Sequence, residues 1–320
     1  MVRAAELKVA ILDRPGGADS PLFANLPSHV EVQRLLPAAI NTLDHRTEVM
    51  LVRGGFWTDM ESLLGLAPDL KWIHLNMAGL DHVDLQLLKD RGVMLTNSRG
   101  VLDAAIAEFV LGAVLQWSKG LHVSVLDTQQ GRWMPREPLA NRSMTTLVLG
   151  AGGIGTECAR TLKKAGFGAV AGFRRHPLRL DPIFDEYVSA DDLPARIGDF
   201  DAVVACLPAT PSTEGFINRT LLDRLGRAAV FVNVGRGSTV DQVALADALA
   251  ARPDSLAVLD VTAPEPLPDG HPLLSARNVV ISPHMAGETV ERHDNFTALF
   301  IDNLQRYCDG TPLKNRSVPS

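Results

Sequence analysis

Cysteine is sparse in this chain of 320 residues. Cys158, Cys206 and Cys308 lie far apart in sequence and show no metal-ligand spacing. That excludes a disulfide scaffold and fits reduced thiols in a reducing compartment, with no metal centre expected. Long basic runs are absent too, and 31 basic against 37 acidic residues leave a net charge of −6. Neither nucleic acid nor an anionic membrane is therefore expected as a partner. No apolar run is long enough to span a bilayer, and no signal-peptide core precedes the strand-like Val9–Leu12. The expected location is the cytoplasm. What remains is ordinary globular composition, 46% hydrophobic and 21% charged, with length enough for two domains.

Short apolar runs alternate with amphipathic stretches, the pattern of βα units around parallel sheets. In the first hundred residues the spacing predicts strands at Lys8–Leu12, Glu48–Val52, Trp72–Leu75 and Val93–Thr96, and helices at Asp59–Leu66 and Val83–Arg91. A helix from Leu102 to about Trp117 is apolar nearly all round and is expected to be buried. A second series predicts strands at Thr145–Leu149, Ala169–Phe173, Ala202–Cys206, Val230–Val234, Leu256–Leu259 and Val279–Ile281. Thr239–Ala251 and Thr289–Tyr307 read as helices. The last returns to the first domain, so residues 1–100 plus 288–320 form one expected domain and 101–287 the other. Gly131–Ser143, with Pro135 and Pro138, has too little pattern to place.

One segment carries the most chemistry. Leu147-Val-Leu-Gly150-Ala-Gly152-Gly153-Ile154-Gly155 is an apolar run ending in Gly-x-Gly-x-x-Gly, followed by a helix-like stretch, Thr156–Ala165. The first glycine permits a tight turn, the second a close approach of backbone to phosphate. The third lets helix pack on strand, so the helix-start N–H groups face an anion. Glycine-rich turns also occur where nothing binds, but here the strand and helix stand on the correct sides. The ribose is read about twenty residues on, at the end of the next strand. An NAD site would place an acid there. This chain has Arg174 and Arg175, whose guanidinium groups suit a 2′-phosphate. NADP(H) is therefore expected over NAD(H); two merely solvated arginines would leave either acceptable.

Three further segments fall at strand ends, the edge of a parallel sheet where ligands bind. Val232-Asn-Val234-Gly235-Arg236-Gly237 sets an arginine between two glycines, suited to a planar carboxylate. In Asp260-Val-Thr-Ala-Pro264-Glu265-Pro266 two prolines stiffen the backbone of a glutamate that could orient a partner. Ile281-Ser-Pro283-His284-Met285-Ala-Gly287 places a histidine at the same edge, a general acid/base candidate. Each also has a plain reading as a surface turn.

Together these motifs resemble the D-isomer-specific 2-hydroxyacid dehydrogenases over nearly the whole chain. Further matches are Ala78-Gly79-Leu80-Asp81-His82-Val83-Asp84, Ala107-Glu108, Cys206-Leu207-Pro208 with Thr210-Pro211, Asp241, and Pro312-Leu-Lys-Asn315. The resemblance implies two doubly wound parallel-sheet α/β domains, a Rossmann nucleotide-binding domain and a smaller flavodoxin-like substrate domain. It also implies an Arg236–Glu265–His284 triad. Protonated His284 gives its proton to the carbonyl oxygen of a 2-oxo acid as hydride arrives. Glu265 accepts from the other ring nitrogen and favours the imidazolium, while Arg236 holds the substrate carboxylate. Asn76, Met77, Ala78 and Gly79 match the segment whose backbone N–H groups also grip that carboxylate. Gly150, Gly152, Gly153, Ile154, Gly155, Arg174, Arg175, Cys206, Leu207, Pro208, Val234, Asp260 and Gly287 are the implied cofactor contacts.

Glu265 stands where formate dehydrogenases of this family carry glutamine, and Ala78 where phosphite-oxidising relatives place lysine, so neither formate nor phosphite is expected. The chain ends soon after its final helix, so the regulatory domain of long phosphoglycerate dehydrogenases is not expected. Asn141-Arg142-Ser143 departs from the family's Gly-Lys turn. Length, motif style and the arginine pair look most like glyoxylate/hydroxypyruvate reductases. Phe56, Trp57, Asn76 and Met77 could line a side-chain pocket, and Trp57 there would admit larger apolar 2-oxo acids. The alternatives are a nucleotide-sensing scaffold or corepressor on the same fold, or a dehydrogenase for another 2-hydroxy acid. Family enzymes are usually homodimers that bury the face near the long helix and Gly131–Ser143.

Overall fold

The computed structural model describes residues 6–13, 20–53, 60–80, 83–174, 181–226 and 229–318. The chain divides into two compact units, Met1–Val101 with Thr289–Ser320, and Leu102–Glu288.

The first unit is built on a sheet of β1 (Leu7–Leu12), β2 (Val30–Leu35), β3 (Val49–Val52), β4 (Trp72–Leu75) and β5 (Met94–Asn97), with β13 (Arg316–Val318) added at the end. Its order is β13-β5-β4-β3-β1-β2, parallel except for β13. Every residue of β3 and β4 is buried, because both faces are covered. Met50, Val52, Ile73 and Leu75 pack on one side with Leu63, Leu64 and Leu88. On the other, Val49, Leu51 and Trp72 meet Phe300 and Leu304 of the helix Arg292–Cys308. Trp72 stacks on Phe300 and Tyr307, with centroids 5.6 Å and 5.5 Å away.

The second unit holds β6 (Thr146–Leu149), β7 (Val170–Phe173), β8 (Glu186–Val188), β9 (Ala202–Ala205), β10 (Val230–Asn233), β11 (Leu256–Leu259) and β12 (Val279–Ile281). All run parallel in the order β12-β11-β10-β9-β6-β7-β8. The order reverses between β6 and β9, and at such a switch the loops part and leave a crevice at the carboxyl edge. Register aligns the strand ends closely. Phe173, Leu149, Ala205, Asn233, Leu259 and Ile281 are successive partners across the sheet. The residues that follow each of them therefore emerge along one edge.

Several elements differ from the sequence expectation. β2, β8 and β13 were not foreseen. β2 and β8 carry mixed burial rather than a solid apolar run, which weakens their pattern. The helix after the glycine loop runs Gly153–Lys164, starting inside the motif rather than at Thr156. The helix Asp103–Ser118 is not buried all round. Ile106, Ala107, Val110, Ala113, Val114 and Trp117 are buried, while Ala104, Glu108 and Gly112 are exposed. A further helix, Leu121–Gln129, follows it after a left-handed turn at Gly120. The Gly131–Ser143 segment has no regular structure before a short turn at Asn141–Ser143. Buried Asp127 pins it by accepting from Arg132 Nε at 2.9 Å and Arg136 Nη2 at 2.5 Å.

Candidate active site

The glycine loop owes its shape to close packing. Gly150 follows β6 with φ 103°, a conformation that glycine adopts without strain. A Cβ there would sit 2.8 Å from the Cys206 carbonyl oxygen. At Gly155 a Cβ would overlap the Gly150 carbonyl, so the helix can lie this close to the strand end only without a side chain. Gly152 caps the helix, and a Cβ on it would meet open space. The opening stands over a helix N-terminus at the sheet's switch point, a cradle that fits a dinucleotide pyrophosphate. Ile154 is half-buried beside it. A Cβ on Gly153 would lie 2.7 Å from Asp103 Oδ2. This carboxylate over the first turn had no signal in the motif.

Gly235-Arg236-Gly237 after β10 works by the same means. A Cβ at Gly235 would lie 2.5 Å from the Leu207 carbonyl oxygen, and one at Gly237 would overlap the Thr262 carbonyl. The two glycines bring the backbone against both neighbouring strand ends and hold half-buried Arg236 between them. The Arg236 carbonyl accepts from Asn233 Nδ2 at 3.1 Å and Thr239 Oγ1 at 2.7 Å. Arg236 Nη1 donates to the Gly235 carbonyl at 2.8 Å. Asn233, at the end of an apolar strand, is a supporting residue that motif reading passed over.

Glu265 and His284, nineteen positions apart, meet here. His284 Nδ1 lies 2.9 Å from Glu265 Oε2. The other carboxylate oxygen, Oε1, accepts from the Thr262 backbone N–H at 3.2 Å. Gln242 braces the same loop, accepting from the Ala263 N–H at 3.0 Å. His284 has φ 54°, in the left-handed region that a non-glycine residue occupies only when its surroundings compel it. Asp260 supplies that compulsion. Its carboxylate is buried and accepts from Ser282 Oγ at 2.6 Å, Met285 N at 2.8 Å and Ala286 N at 2.9 Å. Its carbonyl accepts from His284 N at 2.9 Å. Expected as a cofactor contact, Asp260 spends its carboxylate on the turn that presents His284. Both Glu265 and His284 stay open to solvent, at 41% and 55% side-chain exposure, so a substrate can reach them.

Of the remaining expected cofactor contacts, Cys206, Leu207 and Pro208 follow β9, Val234 follows β10, and Gly287 ends the histidine turn against Leu102. Arg174 is exposed at the end of β7. Arg175 lies outside the described residues, as do Phe56, Trp57, Asp81 and His82. Cys158 and Cys206, distant in sequence, come together; a hydrogen bond to the Cys206 thiol, with burial, pushes the Cys158 thiol up. Asn76–Gly79 belongs to the first unit, directly after β4. Met77 is partly buried against that unit's core. Among the described residues no cluster of three His, Cys, Asp or Glu side chains could hold a metal ion, and no single helix is long and apolar enough to cross a membrane.

Residues 111–286 match the family described as D-isomer specific 2-hydroxyacid dehydrogenase, NAD binding domain. The human glyoxylate reductase/hydroxypyruvate reductase is 34% identical over 262 residues, 80% of this chain and 79% of that protein. Two solved structures are similar over almost the full length. A D-isomer specific 2-hydroxyacid dehydrogenase from Xanthobacter autotrophicus, in complex with NADPH and MES, has a TM-score of 0.80 at 28% identity, covering 98% of each chain. An NADPH-dependent glyoxylate/hydroxypyruvate reductase from Sinorhizobium meliloti, in complex with citrate, has a TM-score of 0.78 at 28% identity, covering 97% of each.

Proposed function

The chain belongs to the D-isomer specific 2-hydroxyacid dehydrogenase family, and from that membership we propose that it reduces a small 2-oxo acid, such as glyoxylate or hydroxypyruvate, to the D-2-hydroxy acid with NADPH. The observation that carries this reading is the Glu265–His284 pair, 2.9 Å apart on the sheet edge that also holds the glycine loop. A bound nicotinamide supplies the hydride. The chain's own residues handle the rest. Glu265 occupies His284 Nδ1, which leaves Nε2 to face the substrate carbonyl. As hydride reaches the carbonyl carbon, the C=O π pair moves onto oxygen, and His284 Nε2 delivers the proton that makes the hydroxyl. Neutral His284 then regains a proton from water. Arg236 pairs with the substrate carboxylate and holds the carbonyl in place.

Preference for NADPH rests on Arg174, an exposed guanidinium at the strand end where the ribose is read. The decisive experiment follows absorbance at the nicotinamide band with NADPH and NADH against a panel of 2-oxo acids. Turnover with NADPH is expected, and Arg174→Ser should raise its KM ~10-fold, the loss of one charge-assisted contact, while NADH changes little. Turnover confined to NADH would overturn the cofactor choice. Tight NADPH binding without turnover of any 2-oxo acid would favour the scaffold reading instead.

A homodimer is part of the same proposal. Leu121, Val125, Leu126, Trp133, Met134 and Leu139 are all exposed along one continuous stretch, Trp133 by 93%. An apolar run of that kind, beside the half-exposed face of the helix Asp103–Ser118, is what a second copy would cover.

A further inference from the structure

Two features at the glycine loop go beyond what a dinucleotide requires: an extra glycine and an acid beside it. The Gly-x-Gly-x-x-Gly pattern takes Gly150, Gly152 and Gly155, and Gly153 stands at one of its free positions. Gly153 is the first residue of the helix Gly153–Lys164, and its φ lies outside the left-handed region. Its backbone therefore has no need of glycine. Asp103 accounts for it. A Cβ on Gly153 would lie 2.7 Å from Asp103 Oδ2 and 3.7 Å from Asp103 Cγ. The carboxylate occupies the room that a side chain would take.

Asp103 opens the helix Asp103–Ser118 in the same unit as the loop. Packing holds it there. Ile106, Ala107 and Val110 of its helix share one core cluster with Ala151, Cys158 and Ala159 of the loop and the helix that follows. In a helix each Cα–Cβ bond tilts toward the N-terminus. The oxygen that a Gly153 Cβ would meet therefore stands by the open end of the helix. The Thr156 N–H donates to the Gly152 carbonyl at 2.8 Å, the bond that starts the helix. The N–H groups of Gly153, Ile154 and Gly155 come before it, so they lack intrahelical acceptors and point out of that end. These are the donors of the pyrophosphate cradle, and the Asp103 carboxylate shares their end of the helix.

We propose that Asp103 is a specificity-determining residue, which places a negative charge beside the diphosphate site and so selects the dinucleotide against nucleoside diphosphates that share its adenosine. This rests on the reading that the glycine loop binds a dinucleotide. Repulsion from the carboxylate grows with the charge on the ligand. The diphosphate of NADPH is esterified at both ends, with a single negative charge on each phosphate. The terminal phosphate of ADP is free at one end and carries about two at neutral pH. Helix-start N–H groups alone attract the more highly charged ligand more strongly. The carboxylate opposes that order.

Titration calorimetry on the full-length protein tests this, with Kd measured for NADPH, ADP and adenosine 2′-phosphate in the wild type and in Asp103→Asn. Removing the charge should tighten NADPH ~3-fold and ADP ~10-fold, while adenosine 2′-phosphate, which has no diphosphate, stays within about twofold. Asp103→Ser should give the same order, so the result does not hang on the folding of one variant. Unchanged Kd for ADP in both variants would overturn the assignment, and so would an equal gain for all three ligands. A lower Tm with every Kd unchanged would overturn it too, and would make the carboxylate a counter-charge for the helix alone. In each of these cases NADPH turnover by the wild type would leave the proposed function standing. A wild-type protein that binds no NADPH would remove the dinucleotide reading, and this assignment with it.

Discussion

At the scale of single residues, the site depends on groups that do not act alone. His284 in a left-handed turn is held by a carboxylate with three donors on it, and the imidazole is oriented by a second carboxylate 2.9 Å away. Replacing His284 by Ala should lower kcat ~10²–10⁴-fold, the span expected of a general acid, while NADPH affinity measured by fluorescence changes less than about threefold. Equal losses in both would show that the residue shapes the cofactor site rather than moving a proton. The histidine and glutamate were visible in the sequence because each sits in a turn of restricted residues beside a strand end. Asn233, Thr262, Gln242 and Ser282 were not. The Asn233 and Gln242 side chains serve backbone groups, the Ser282 hydroxyl and the Thr262 N–H serve carboxylates, and neither residue type nor spacing marks those roles.

At the scale of elements, the glycines are where sequence and geometry meet. Gly237 lets the end of β10 lie directly against Thr262, three residues before Glu265. A methyl group there must push the Glu265 loop away. Gly237→Ala should cost about 1–3 kcal/mol of stability, the usual range for overpacking, read as a lower Tm. It should also reduce kcat ~10-fold or more as Glu265 leaves His284, and full activity at reduced Tm would count against that link. The buried strands were legible because short, mostly apolar runs suit a sheet covered on both faces; β4, apolar but for His74, matches the expected Trp72–Leu75 residue for residue. Edge strands were illegible for the converse reason. β2 reads Val-Glu-Val-Gln-Arg-Leu and has just one fully buried residue. The helix Asp103–Ser118 misled in another way. Its apolar outer face reads as core, yet Ala104 and Gly112 are exposed.

At the scale of the whole molecule, acid stability should report the buried histidine. Burial pushes His74 down to about 3 in the folded protein, whereas an unfolded histidine titrates near ~6.5. Between those values the unfolded chain binds a proton that the folded chain refuses. Stability is therefore complete above ~6.5 and falls with pH below it, by about 1.4 kcal/mol per unit for this one group. His122, lowered by burial in the second unit, acts in the same direction. Urea unfolding at pH 7, 6 and 5 checks this, and His74→Gln should flatten the slope; an identical slope would assign the effect to other groups. Mass in solution tests the assembly, with light scattering expected to give about twice 34.5 kDa. A single-chain mass would leave the exposed Trp133 stretch without its proposed cover.

The sequence alone specified a parallel α/β architecture and put Gly150, Arg236, Glu265 and His284 in the turns that follow strands. Both follow from local rules, the apolar run and the restricted turn, which need no knowledge of neighbours. Tertiary structure decided which of those strand ends stand side by side, since register and sheet order join Leu149 to Ala205 and Leu259 to Ile281 across long stretches of chain. It also decided what each side chain touches: Glu265 on the ring of His284, Asp260 on its turn, Asn97 on the Ala78 carbonyl. Hydrogen bonds act over about 3 Å, and residues distant in sequence come that close only once the sheets are packed.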